Sequence, residues 1–337
     1  MHYAQSHSLP KVTEVTIRDI WQARKRISSI VKQTPIIYSH HLSQLTGSAI
    51  YLKLENLHDI GAFKVRGAAN KILSLTPEER ERGVTTFSTG NHGQAVAFVA
   101  QQLGVKAVVC VSNRVPKAKI DAIQRWGATI EITGDSQDAA GEHCDRLQKE
   151  QGLTVIKPFD DPEVIAGQGT MGLEIAREVP EVDMVIGGLS GGGMHSGLGL
   201  AMKSIDPAIQ VVGVSMEHGA VMYESIKAGK PVVLGEKDTL ADSLLGGIGL
   251  DNAYTFEMVK KYVDQSLLVS EEAIAEGMAY MLKHHHMVIE GAAAVGIGAL
   301  LRQKIVKPGK CIVIIISGCN VNLDAHIQAV MPFINKV

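Results

Sequence analysis

Residues 84–133 read VTTFSTGNHGQAVAFVAQQLGVKAVVCVSNRVPKAKIDAIQRWGATIEIT, and their alternation decides the fold. Val84–Ser88 is a strand-forming run, followed by an apolar helical stretch, His92–Leu103, that stops at Gly104. Ala107–Val111 is a second strand, Pro116–Trp126 a second helix closed by Gly127, and Thr129–Thr133 a third strand. Glycine adopts the left-handed conformation that ends a helix, and β-branched residues follow it closely each time. That succession is the pattern of a parallel sheet wound with helices.

The same rhythm extends in both directions. Upstream, residues 16–31 place Ile17, Ile20, Trp21, Arg24 and Ile27 on one helical face, with Pro35 beyond the end. Ile50–Leu54 reads as a strand and Phe63–Leu75 as a helix. Downstream come a charged helix at about 136–150 and a strand at Thr154–Ile156. A second set follows: strand Met184–Gly187, helix 194–204, strand Gln210–Ser215, helices 271–283 and 291–303, and strand Cys311–Ile316. The last is an unbroken apolar run, suited to a strand buried on both faces. The predicted class is α/β with doubly wound parallel sheets, and no repeat or low-complexity linker interrupts it.

Composition narrows the function. The 337 residues carry a formal net charge of -2, which offers nothing to nucleic acid or an anionic membrane, and 4% aromatics leave little for base stacking. Hydrophobic residues at 45% and charged residues at 20% are those of a soluble globular protein with ample core. Cys110, Cys144, Cys311 and Cys319 form no C-x-x-C pair, so buried thiols in a reducing cytoplasm are expected, with neither disulfides nor zinc. The polar N-terminal residues lack the apolar core of a signal peptide, and no apolar run is long enough to span a bilayer.

Three polar turns follow apolar strands: Ser88-Thr89-Gly90-Asn91-His92-Gly93, Ser190-Gly191-Gly192-Gly193-Met194 and Ser317-Gly318-Cys319-Asn320. In a parallel sheet, ligands bind at the carboxyl ends of strands, where helix N-termini point at them. The three glycines remove the Cβ atoms that would hold a phosphate away from backbone N–H groups. A lysine, Lys64, sits in the apolar stretch Gly61-Ala62-Phe63-Lys64-Val65-Arg66-Gly67. An apolar setting favours its neutral amine, which can form a Schiff base. Taken together, the lysine, the phosphate cradle and the polar turns suggest pyridoxal phosphate. A nicotinamide dinucleotide is the alternative ligand, since Gly191-x-Gly193-x-x-Ser196 with Glu217 approximates a dinucleotide fingerprint. That reading lacks the third glycine and leaves Lys64, Asn91 and Ser317 without work.

In order along the chain, Lys64 in its setting, Ser88–Gly93, Ser190–Met194, Leu240-Ala241-Asp242-Ser243, Ile289-Glu290-Gly291-Ala292 and Ser317–Asn320 resemble the motifs of fold-type II pyridoxal-phosphate enzymes. Within them the chain is similar to the branch of threonine/serine dehydratases and serine racemase. Gly61–Lys64 and Asp242–Asp251 most resemble the dehydratases of hydroxyectoine utilisation. The resemblance implies two doubly wound domains with the cofactor between them. The large domain would comprise residues 1–52 and 149–337, and the small, substrate-clamping domain residues 53–148.

It also implies roles. Lys64 would carry the cofactor and then act as the base at the α-carbon, with Thr89 on the opposite face. Phe63, Lys64, Asn91, Gly191, Gly192, Gly193, Met194 and Ser317 would bind the cofactor, Asn91 at the ring hydroxyl and Ser317 at the pyridine nitrogen. Ser88, Thr89, Gly90, Asn91 and His92 would hold the substrate carboxylate. The implied reaction is β-elimination from a β-hydroxy-α-amino acid (threonine, serine, 3-hydroxyaspartate or a hydroxyectoine-derived amino acid), releasing a keto acid and ammonia. A serine-type racemase and a non-catalytic cofactor- or amino-acid-binding protein are the alternatives. The expected enzyme is cytoplasmic, a homodimer or homotetramer, and catabolic, there being no room for an appended regulatory domain.

The chain departs from the family pattern in places. Ala62 stands where serine is usual and Cys319 where glycine is usual. Val221 and Met222 replace a second acid after Glu217, so no metal is expected. His284-His285-His286 is expected to be a solvated helix end rather than a metal tract. Glu290 reads as either a catalytic or a structural carboxylate.

Overall fold

The computed structural model describes residues 14–115 and 117–337. The polar segment before residue 14 and Pro116, expected to open a helix, lie outside the described residues.

Among the described residues, ten strands run in the order β1 (Ile36–Tyr38), β2 (Ala49–Lys53), β3 (Val84–Thr86), β4 (Ala107–Val111), β5 (Thr129–Ile132), β6 (Thr154–Val155), β7 (Met184–Gly188), β8 (Gln210–Met216), β9 (Gln265–Val269) and β10 (Cys311–Ile315). The helices are α1 (Ile17–Ile27), α2 (His40–Thr46), α3 (Val65–Ser74), α4 (Pro77–Arg82), α5 (Asn91–Leu103), α6 (Lys117–Gln124), α7 (Gln137–Gln151), α8 (Pro162–Glu178), α9 (Gly193–Ile205), α10 (Val221–Ala228), α11 (Thr255–Tyr262), α12 (Glu271–His285), α13 (Gly291–Leu301) and α14 (Leu323–Val330).

The strands form two sheets. One is parallel throughout, ordered β5-β4-β3-β6, with β3, β4 and β5 from residues 84–133 and β6 beyond them. The other is ordered β1-β2-β10-β7-β8-β9 and is parallel except at its β1 edge. The most apolar strand, β10, is buried along its whole length between β2 and β7, with Ile312 opposite both Ile50 and Met184. A strand covered on both faces has no polar side to show, which is why its sequence does not alternate. No helix among the described residues is long and apolar enough to cross a membrane.

The sequence reading passed over α8, a seventeen-residue helix buried along most of its length. Its run Ala166-Gly167-Gln168-Gly169 contains two glycines, each of which lowers intrinsic helix propensity by about 1 kcal/mol. Packing reverses that preference. A Cβ at Gly167 would lie 2.6 Å from the Arg66 carbonyl oxygen, and one at Gly67 would lie 2.8 Å from Val164 Cγ1. The two glycines therefore let α3 and α8 approach backbone to backbone. Asp161 starts α8, accepting from the N–H groups of Glu163 and Val164 at 2.8 and 3.1 Å.

Beneath this contact lies a fully enclosed ionic cluster. Arg66 donates to Glu55 at 2.7 and 2.8 Å and to Glu174 at 2.7 and 2.8 Å. Lys53 donates to Glu174 at 2.6 Å and to the Thr34 carbonyl at 2.7 Å. Two cations face the two carboxylates, and His58 Nε2 lies 3.0 Å from Glu55. Burial pushes the Glu55 carboxyl upward, but Arg66 and His58 outweigh it and hold the group well below the usual carboxylate range. The cluster ties β2, α3 and α8 together and so fixes the start of α3, where Lys64 stands.

Candidate active site

Three strand ends converge on the site. After β7 the chain turns through Gly191 and Gly192 into α9. Gly192 is the residue before the helix, at φ +85°, a left-handed conformation that favours glycine. Its neighbours need the absence of a side chain for another reason. A Cβ at Gly191 would fall 2.4 Å from the Phe159 ring, and one at Gly193 would fall 2.9 Å from the Phe159 backbone. No side chain caps α9. Among the described residues, no protein acceptor takes the N–H groups of Gly191, Gly192, Gly193 or Met194. Unclaimed N–H groups at the positive end of a helix dipole form an anion cradle.

Lys64 immediately precedes α3. Its Nζ donates to the Pro158 carbonyl oxygen at 2.9 Å and lies 5.3 Å from the centre of the Phe63 ring. Burial depresses the amine to about 8, against a smaller upward pull from Glu290. A neutral, nucleophilic amine is thus accessible near neutral pH. The segment Pro158–Asp161, unmarked in the sequence reading, touches both this amine and the glycine loop.

The residues expected to form the carboxylate clamp follow β3. Ser88, Thr89 and Gly90 are half-buried, and Asn91 and His92 open the buried helix α5. A Cβ at Gly93 would lie 2.0 Å from the Ser88 carbonyl oxygen, so the turn closes tightly only with glycine there. His92 Nε2 lies 2.9 Å from the Ile156 carbonyl oxygen, while Nδ1 is buried without a partner among the described residues. Burial, and then the nearby Lys64 charge, lower this imidazole to about 3. His92 is therefore neutral, with its proton on Nε2.

Asn91 is held at both ends of its amide. Its Nδ2 donates to Glu290 at 3.0 and 3.1 Å, and its Oδ1 accepts from Asn320 Nδ2 at 2.7 Å. Glu290, which precedes α13, is buried, and that burial raises its carboxyl to about 7 against the opposing hydrogen bond from Asn91. Ser317 is buried just beyond β10; its carbonyl accepts from Phe63 N–H at 3.0 Å, joining the lysine turn to the third polar turn. Ala62 bridges Gly318 in the same junction. Cys319 is not among the residues at positive φ, so the backbone there does not require the usual glycine.

Two other sequence expectations meet different surroundings. His284 and His285 end α12 but are half-buried. The His284 ring stacks on His41 at 3.8 Å, and His285 Nε2 lies 2.9 Å from Ser39 Oγ. Helix α2, absent from the sequence reading, covers this helix end and displaces solvent. Glu217 faces Lys304, at 3.4 Å.

The cradle, the amine and the polar turns match the phosphate, carbonyl and ring functions of pyridoxal phosphate. Gly192→Asp is expected to lower cofactor affinity by about 100-fold, because the carboxylate opposes the phosphate where backbone N–H groups would receive it. The new Cβ also meets Met222 and Val259 at 2.8 Å, so Gly192→Ala serves as the control carrying strain without charge. Equilibrium dialysis should show far weaker retention in the aspartate variant than in the alanine variant. Equal retention in wild type and Gly192→Asp would exclude this loop as the phosphate site.

The profile of the family described as pyridoxal-phosphate dependent enzyme matches residues 27–318. A putative threonine dehydratase of Sinorhizobium fredii is 44% identical over 320 residues, covering 95% of this chain and 96% of that protein. An L-threonine ammonia-lyase of Thermotoga maritima is 42% identical over 310 residues, covering 92% and 77%. Among solved structures, maize serine racemase superposes with a TM-score of 0.88 at 32% identity, covering 96% of this chain and 98% of that one.

Proposed function

This chain belongs to the pyridoxal-phosphate dependent enzymes, in the branch of the threonine and serine dehydratases, and from that premise we propose that it is an ammonia-lyase acting on a β-hydroxy-α-amino acid. The α-proton and the β-hydroxyl group leave as water, and hydrolysis of the resulting enamine by water yields a keto acid and ammonia. The observation that carries the reading is the Lys64 amine, depressed to about 8 by burial and set among three polar strand ends.

Pyridoxal phosphate, when bound, supplies an electrophilic carbonyl and an electron sink for the α-carbon. Lys64 would hold it, and its amine is placed to serve as the base for the α-proton. The N–H groups of Gly191–Met194 receive the phosphate. Asn91, fixed by Glu290 and Asn320, would lie beside the ring hydroxyl. Ser317 meets the ring nitrogen with a hydroxyl, which unlike a carboxylate does not keep that nitrogen protonated. Ser88, Thr89, Gly90, Asn91 and His92 receive the substrate carboxylate at the start of α5. Phe63 and Met194 line the cofactor. The clamp hangs from the four-stranded sheet and the glycine loop from the six-stranded one, which supports a division into two domains; β6, at Thr154–Val155, belongs to the four-stranded sheet and so lies beyond an upper boundary at residue 148. The protein works in the cytoplasm as a homo-oligomer. Keto-acid release from threonine, serine, 3-hydroxyaspartate and a hydroxyectoine-derived amino acid tests the reading and selects its substrate; release from none of them would refute it.

Racemisation is the second reading, favoured by the Thr89 hydroxyl on the clamp and by the likeness to maize serine racemase. Exchange of a proton at the α-carbon from the face opposite Lys64 needs a mobile hydroxyl. Threonine's extra methyl restricts χ1 and crowds the clamp. Wild type given L-serine should therefore form pyruvate well ahead of D-serine, and Thr89→Ser should raise the D-serine share. D-Serine forming as fast as pyruvate in wild type would make this a racemase.

A further inference from the structure

Asp160 lies 7% exposed between Phe159, which walls the glycine loop, and Asp161, which caps α8. Its carboxylate enters no described ion pair. Instead it accepts three backbone N–H groups from a segment more than ninety residues away: Ala253 at 2.8 Å, Tyr254 at 2.9 Å and Thr255 at 3.0 Å. These are the groups at the start of α11. That helix has no side-chain cap of its own at Tyr254, which precedes it. Asn252 takes the next N–H group, that of Phe256, at 2.8 Å. An external carboxylate thus does the work of an N-cap and suits the positive end of the helix.

The position of α11 matters because it forms the outer wall of the glycine loop. A Cβ at Gly192 would meet Val259 Cγ2 at 2.8 Å and Thr255 Cβ at 3.1 Å, both on α11. The inner wall is Phe159, and the preceding carbonyl, Pro158, receives Lys64 Nζ. Pro158, Phe159 and Asp160 therefore reach the amine, the inner wall and the outer wall in three consecutive residues.

We propose that Asp160 is a positioning residue for the phosphate loop, holding α11 against Gly192 so that the N–H groups of Gly191–Met194 keep one arrangement. The inference rests on those N–H groups receiving the cofactor phosphate. Asp160→Ala removes all three acceptor contacts; Asp160→Asn keeps the shape but turns an amide donor toward one of the N–H groups.

Both variants are measured as holoenzyme. Cofactor dissociation should accelerate about tenfold in Asp160→Ala, the scale of losing hydrogen bonds to a charged acceptor, with a smaller effect in Asp160→Asn. The ³¹P resonance of the bound phosphate should shift or broaden in the same order. At saturating cofactor, turnover should fall less than cofactor affinity. If Asp160→Ala does not fold, Asp160→Asn carries the test alone. Variants that are less stable to denaturant yet keep wild-type dissociation and ³¹P resonance would overturn the proposal. Gly192→Asp separates the two levels. Retained affinity there would refute the phosphate reading itself, whereas lost affinity there with unchanged Asp160 variants would refute only the role of Asp160.

Discussion

Lys64→Ala should lower keto-acid release by about 10³-fold or more, the scale expected when one group serves as both covalent anchor and base. Borohydride reduction of the wild-type holoenzyme, followed by peptide mapping, should place the label on Lys64, and the yellow colour expected of the wild type should change in the variant. Lys64→Arg is the sharper control. It keeps length and positive charge, but a guanidinium does not give up its proton, so it can neither attack a carbonyl nor accept the α-proton. Restoration of turnover by arginine, or a label on another lysine, would remove Lys64 from the centre of the reading. The local structure explains why this lysine is the reactive one. Lys53 is more deeply buried, but it pairs with Glu174 at 2.6 Å, whereas among the described residues Lys64 Nζ has only a carbonyl oxygen in hydrogen-bond contact. Burial without a paired carboxylate shifts an amine toward its neutral form.

Glu174→Ala should destabilise the fold by about 3–5 kcal/mol, the usual result of removing one partner from a buried ion pair. Lys53 would keep the Thr34 carbonyl, and Arg66 would keep Glu55 and the Thr170 hydroxyl, leaving one positive charge unbalanced inside the protein. Glu174→Gln should cost less, since it retains an acceptor. Removing Glu217, which faces Lys304 at the surface, should change stability by no more than about 1 kcal/mol. Urea unfolding midpoints of the three variants check the order. A loss below about 1 kcal/mol in Glu174→Ala would mean that water reaches the cluster in solution and solvates the freed charge.

The legible part of the site was the part written in consecutive residues. Gly191–Gly193 announced a close backbone approach, and the structure places Phe159 and α11 where side chains would otherwise stand. Lys64 stood out because a charge in an apolar run is unusual. Arg66, two residues later, carries no such signal, although it organises the cluster that fixes the lysine's helix. A charged residue on a helix normally faces water, and only its distant partners, Glu55 and Glu174, show that this one does not. Glu290 remained undecided between catalytic and structural roles because its contact with Asn91 spans 199 residues.

The fold class, the parallel winding of residues 84–133 and the three polar turns were determined by the sequence itself. Periodicity and glycine placement record how each segment is buried and where it must bend. Only the tertiary structure decided that the last strand lies between β2 and β7, that α8 packs on α3 through Gly167 and Gly67, and that Asp160 caps a helix starting at Thr255. Hydrogen bonds and close contacts between residues far apart impose no period on the chain, and either partner alone looks like an ordinary polar or small residue. Their pairing exists only once the sheets have brought them within about 3 Å.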